Sequence, residues 1–162
     1  MLGATASAGW GLSGCAPMRT AASPAVAGEL ATTWSGRLSM RIDTQPPQTF
    51  AALFDLRGTP DTGELRLSTP IGSTLAGLNW APGEALLRNG SETRRFDSLD
   101  ALVAAATGAA IPVRSLFAWL AGRDEPVEGW SVDLRQHGSG RILAVRRQPQ
   151  PPVDLRVVFE QP

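Results

Sequence analysis

Leu12-Ser13-Gly14-Cys15 is the segment whose residue types and spacing point most directly to chemistry. An aliphatic residue and two small residues before a cysteine resemble a bacterial lipobox, where a leader is cut and the thiol is joined to diacylglycerol. Cys15 is the only cysteine in the chain, so no internal disulfide competes for that thiol. Lipidation is therefore the expected fate of Cys15, with a diacylglycerol and an N-acyl chain as its covalent additions. Residues 1–14 then read as a lipoprotein signal peptide. They contain no Arg, and the charged start that a secretory leader needs is expected upstream of Met1. Residue 16 is Ala rather than Asp, which is compatible with sorting to an outer membrane.

Other reactive types are sparse. His137 is the single histidine and lies in His137-Gly138-Ser139-Gly140, a turn composition without a nucleophile elbow. Asp124 and Glu125 follow Gly122-Arg123 at a helix end and read as a solvated loop rather than an acid/base pair. All fifteen basic residues are Arg, which removes any phosphate-binding loop ending in Gly-Lys-Ser/Thr and any Schiff-base lysine. Fifteen acidic residues balance them, so nucleic acid has no electrostatic footprint to meet. The expectation is a protein with no catalytic residues, no metal and no cofactor beyond its acyl groups.

Residues 15–30 are rich in Pro, Ser, Ala and Gly and read as a lipidated N-terminus and flexible linker. Residues 31–162 are long enough for one domain with a real core. No apolar run in them approaches the roughly 20 residues that span a bilayer. Period-two alternation marks a strand with Trp34, Leu38, Met40 and Ile42 on one face, and a second with Phe50, Ala52, Phe54 and Leu56. A third carries Leu65 and Leu67, a fourth Ala76, Leu78 and Trp80, and two short ones flank the hairpin signal Asn89-Gly90. The period then becomes helical. Leu99, Leu102, Val103 and Ala106 form a stripe between an Asp97-Ser98 cap and a stop at Gly108, and Pro112 opens a second helix with Val113, Leu116, Phe117 and Leu120. Three strands follow, around Trp130 to Leu134, Arg141 to Arg147 and Leu155 to Phe159.

Such a sheet hides its apolar face by rolling up, and two helices inserted within it can lie across the open end. That arrangement predicts an apolar cavity floored by Phe50, Phe54, Leu65 and Leu67 and covered by Leu116 and Phe117. The alternative is that the same side chains fill a closed core, as in an ordinary small barrel.

The stretch Trp34 to Ile42, the segment Gly63 to Thr74, and Ser98 through Gly108, Ile111-Pro112-Val113 and Leu116 to Gly122 resemble the LolB family of outer-membrane lipoproteins. The resemblance spans roughly Trp34 to Phe159. It implies a mainly β fold, an incompletely closed antiparallel β-barrel with a short helical lid over an apolar cavity. It also implies a monomer anchored on the periplasmic face of the outer membrane, in its inner leaflet. Its implied partners are a LolA-like periplasmic carrier and the acyl chains of cargo lipoproteins, which pass to the membrane without nucleotide. By the same resemblance Pro70, Ile71 and Gly72 form a protruding loop whose apolar tip delivers cargo into the bilayer. The rival reading is a structural or assembly lipoprotein of the envelope with a closed core and no cargo.

Overall fold

The computed structural model describes residues 32–107 and 109–160. The proposed leader, Cys15, the whole linker and the Gly108 helix stop lie outside them. The chain runs β1 (Thr32–Ile42), β2 (Gln48–Gly58), β3 (Gly63–Ser68), β4 (Thr74–Ala81), β5 (Glu84–Asn89) and β6 (Glu92–Phe96). Helices α1 (Leu99–Thr107) and α2 (Val113–Leu120) come next, then β7 (Trp130–Asp133), a short 3₁₀ turn at His137–Ser139, β8 (Arg141–Arg146) and β9 (Val153–Glu160).

All nine strands join one antiparallel sheet in the order β6-β5-β4-β3-β2-β1-β9-β8-β7. Strand β1 is the seam between the two ends of the chain. It pairs with β2 from Thr32 opposite Gly58 to Ile42 opposite Gln48, and with β9 from Ser35 opposite Glu160 to Ile42 opposite Val153. Gly36 makes the second pairing possible, because a Cβ there would stand 2.1 Å from the Val158 carbonyl oxygen. Strands β6 and β7 end the order without pairing to each other, so the roll stays open. The architecture is the incompletely closed barrel with two helices that the sequence led us to expect.

Alternation decides which side chains face inward. Trp34, Met40 and Ile42 on β1, Ala52, Phe54 and Leu56 on β2, and Val153, Leu155, Val157 and Phe159 on β9 are all buried. Helix α1 starts where its cap requires, with the Ala101 N–H donating to Ser98 Oγ at 3.1 Å. A Ser98→Ala chain should lose about 1 kcal/mol of stability, read as a lower urea midpoint at unchanged slope. A midpoint that did not move would show that the cap carries no weight.

Helix α2 departs from a one-sided stripe. Val113, Ser115, Phe117, Ala118, Trp119 and Leu120 are all buried, whereas Leu116 is half-buried. Phe117 meets Trp34 and Trp80 edge-on, with ring centroids 5.7 Å and 6.2 Å away. Trp119 points elsewhere, tilted against Trp130 at 6.1 Å and donating its indole N–H to the Glu125 carbonyl at 3.1 Å. Each aromatic fully buried in this way is worth about 1.5–3 kcal/mol or more.

Arg146 occupies an inward register position on β8, alternating with Ile142 and Ala144, and is 5% exposed. Its guanidinium donates to the carbonyls of Ala110 at 3.1 Å and Pro151 at 3.0 Å and lies 5.8 Å over the Trp130 ring. It thereby ties the α1–α2 connection to the sheet. Among the described residues, no helix is long and apolar enough to cross a membrane.

Candidate functional site

A cavity of about 620 Å³ lies between the inner face of the sheet and the two helices. Its size falls within the span of about 300–1,000 Å³ typical of ligand pockets. Leu38 and Met40 of β1, Phe50 and Phe54 of β2, and Leu65 and Leu67 of β3 form much of one wall. Leu75 and Ala76 of β4 extend it, and Val103, Ala105 and Ala106 of α1 face it together with Leu116 of α2. A closed core would leave no such void. Small side chains contribute to its lining: Ala76 lies opposite Leu67 across the β3–β4 ladder, and α1 adds Ala105 and Ala106, both exposed.

Five of the six residues expected to line a cavity are brought together there: Phe50, Phe54, Leu65, Leu67 and Leu116. Phe117 is the correction. It does not line the cavity but is locked between Trp34 and Trp80 in the core. Consecutive residues on a helix point about 100° apart, and here that step turns Phe117 to the aromatic core while Leu116 faces the cavity. Leu38, Met40, Ala76 and the α1 alanines were missed as lining residues. The available signal was strand alternation, which puts Leu38 and Met40 on the same face of β1 as Trp34 and Ile42.

The polar lining residues are Gln48, Thr49, Asn89, Arg94 and Thr107. Three of these, Gln48, Thr49 and Asn89, sit at strand ends that share one side of the roll, and Arg94 is the middle residue of β6. The β1–β2, β3–β4 and β5–β6 connections all lie on that side, because the strands alternate in direction. Gln48 and Thr49 open β2, and Asn89 closes β5.

The β3–β4 connection on the same side carries Ile71. Its side chain is 89% exposed, against 49% and 36% for Val158 and Leu143, the other exposed large apolar residues described. A tight turn holds it out. The Gly72 N–H donates to the Thr69 carbonyl at 2.9 Å, the Thr69 N–H to the Ser73 carbonyl at 2.8 Å, and the Ser73 N–H to Thr69 Oγ1 at 3.1 Å. Pro70 fixes its own φ. Gly72 adopts φ +87°, which an L side chain rarely does, with open space around it. Ile71 does not fold back onto the sheet.

His137 and Glu125, two of the polar residues weighed for catalysis, make contacts between elements. His137 Nε2 is 2.9 Å from the Leu120 carbonyl and its ring lies 5.3 Å from Phe159, which joins the β7–β8 connection to the end of α2. Glu125 accepts from Ser115 Oγ at 3.2 Å. Among the described residues no cluster of three His, Cys, Asp or Glu side chains could hold a metal ion. The one strongly displaced carboxyl, Asp133 at the end of β7, is held down to about 2 by hydrogen bonds from Arg135 and lies outside the cavity.

The sequence is similar to those of known proteins. The family model described as "Outer membrane lipoprotein LolB" matches residues 32–150. An outer-membrane lipoprotein LolB of Bordetella petrii is 28% identical over 174 aligned positions, covering 93% of this chain and 87% of the relative. One from Thiobacillus denitrificans is 26% identical and covers 90% of each chain. One from Shewanella baltica is 32% identical over 75% of this chain and 56% of the relative. A match across most of the barrel, on a sheet that opens as the resemblance implied, settles the family: the chain belongs to the LolB family of outer-membrane lipoproteins.

Proposed function

We propose that the protein accepts triacylated lipoproteins from a LolA-like periplasmic carrier and inserts them into the outer membrane. Cys15, which lies outside the described residues, is the acylated anchor that holds the barrel on the periplasmic face. The single observation that carries this reading is the shared side of the roll. An apolar cavity sized for hydrocarbon has its polar strand ends where the rigid turn exposes Ile71.

The step needs no bond making. Burying an acyl chain gains about 0.8 kcal/mol per methylene. The carrier supplies a similar gain, so only the difference between the two cavities sets direction. About 1.4 kcal/mol moves the handover tenfold. An enzyme would instead need a convergent set of reactive groups at the cavity, whose polar lining is Gln48, Thr49, Asn89, Arg94 and Thr107.

The test is a two-step transfer with the full chain carrying Cys15→Ala, so that the barrel is free in solution. Carrier loaded with labelled lipoprotein should pass its label to this protein without nucleotide, and then to phospholipid vesicles. Retention of the label by the carrier would overturn the proposal.

A further inference from the structure

Among the described residues, Arg94 is the one charged residue in the lining of an otherwise mostly apolar cavity. It stands on β6 opposite Leu87 and two residues before Phe96, on the inward side of the edge strand. Its guanidinium lies 5.3 Å from the Phe96 ring centroid, and no carboxylate among the described residues pairs with it. Its neighbour Arg95, on the opposite face, pairs with Glu84 at 2.9 Å. The two arginines therefore differ in kind: one is neutralised on the outside, the other is left as an uncompensated cation at the edge of the cavity. Asn89, also in the lining, closes β5 at the same side of the roll.

An arginine stacked on an aromatic face keeps its planar fork of N–H donors available, and that fork matches a carboxylate or a phosphate. Behind it runs hydrocarbon-lined space. We infer that the cavity also binds single-chain amphiphiles with an anionic head, the tail in the cavity and the head on Arg94. The inference rests on the reading of the cavity as an acyl-chain site. Fatty acids and lysophospholipids both carry the required chemistry, with a carboxylate in one case and a phosphate in the other. Such ligands would compete with lipoprotein acyl chains for one space.

Arg94 is exposed, so water and salt weaken the pairing and the charge preference is modest, about fivefold. The test uses displacement of a fluorescent fatty-acid probe from the full chain carrying Cys15→Ala. Competitors share a dodecyl tail and differ in head: dodecanoate, dodecyl phosphate, dodecanol and dodecyltrimethylammonium. Both anions should bind about fivefold more tightly than dodecanol, and the cation more weakly. The phosphate and carboxylate arms show which head is preferred. In Arg94→Gln the anions should fall to the level of dodecanol, while dodecanol itself is unchanged. In the unaltered protein the preference should also shrink in about 0.5 M salt.

Equal affinity for anion and alcohol would overturn the inference while leaving the acyl-chain reading standing. Failure of every dodecyl compound to displace the probe would overturn both. An inward charge on an edge strand can also serve to prevent edge-to-edge association. Dimerisation of Arg94→Gln with unchanged anion affinity would assign Arg94 to that role and reject the head-group site.

Discussion

A chain carrying Ile71→Glu should fold and take cargo from the carrier as before, yet lose at least tenfold in the rate of cargo insertion into vesicles. Ile71 is 89% exposed and contributes little to packing, so its replacement should change stability by no more than about 0.5 kcal/mol. The cost falls elsewhere. Moving a carboxylate instead of an aliphatic group toward bilayer hydrocarbon differs by a few kcal/mol, and about 1.4 kcal/mol is already tenfold. The turn makes the effect readable, because Thr69, Pro70 and Gly72 hold the tip out whatever side chain it bears. Two measurements check it: urea unfolding, expected unchanged, and label appearing in vesicles, expected to fall. An unaffected insertion rate would remove Ile71 from the mechanism.

Phe117→Ala and Leu67→Trp should have opposite profiles, and the pair tests where the core ends and the cavity begins. Phe117 is 4% exposed and wedged against Trp34 and Trp80. Its truncation should cost about 3–5 kcal/mol, a large share of a typical stability of about 5–15 kcal/mol. The molecules that remain folded should still bind a fatty-acid probe. Leu67 is half-buried on the cavity wall beside open space. A tryptophan there has room, so stability should hold to within about 1.5 kcal/mol, while probe binding should fall at least tenfold as the ring takes up the volume. Urea titration and probe titration on both chains decide the matter. If Leu67→Trp bound the probe normally, the cavity would not be the acyl-chain site.

Much of this arrangement was legible in the residues. Nine strands and two helices follow from the change of hydrophobic period at Ser98 and back again at Trp130, and the Ser98 cap and the Asn89-Gly90 turn stand where they were read. Local signals sufficed because alternation, caps and turn residues act within a few positions. What depends on three-dimensional packing was not legible. Helix α2 is buried on several sides, so a single stripe could not tell Leu116 from Phe117. Arg146 takes an inward strand position where alternation asks for an apolar side chain, and carbonyls distant in sequence, at Ala110 and Pro151, make that tolerable. Whether inward residues fill a core or surround a void depends on how side chains meet across the roll, which alternation along one strand does not encode. Cys15 and the proposed leader remain sequence expectations, since they precede the first described residue.

The two edges β6 and β7, which do not pair with each other, have a mechanical meaning. A closed barrel has a girth fixed by strand number and shear, and enlarging it means breaking rungs between strands. Here the outermost strands can draw apart with every backbone hydrogen bond of the sheet intact, because no rung joins them. Drawing them apart would disturb side-chain packing instead, including that of α1 on β5 and β6. No backbone rung between these two strands therefore fixes the girth of the roll.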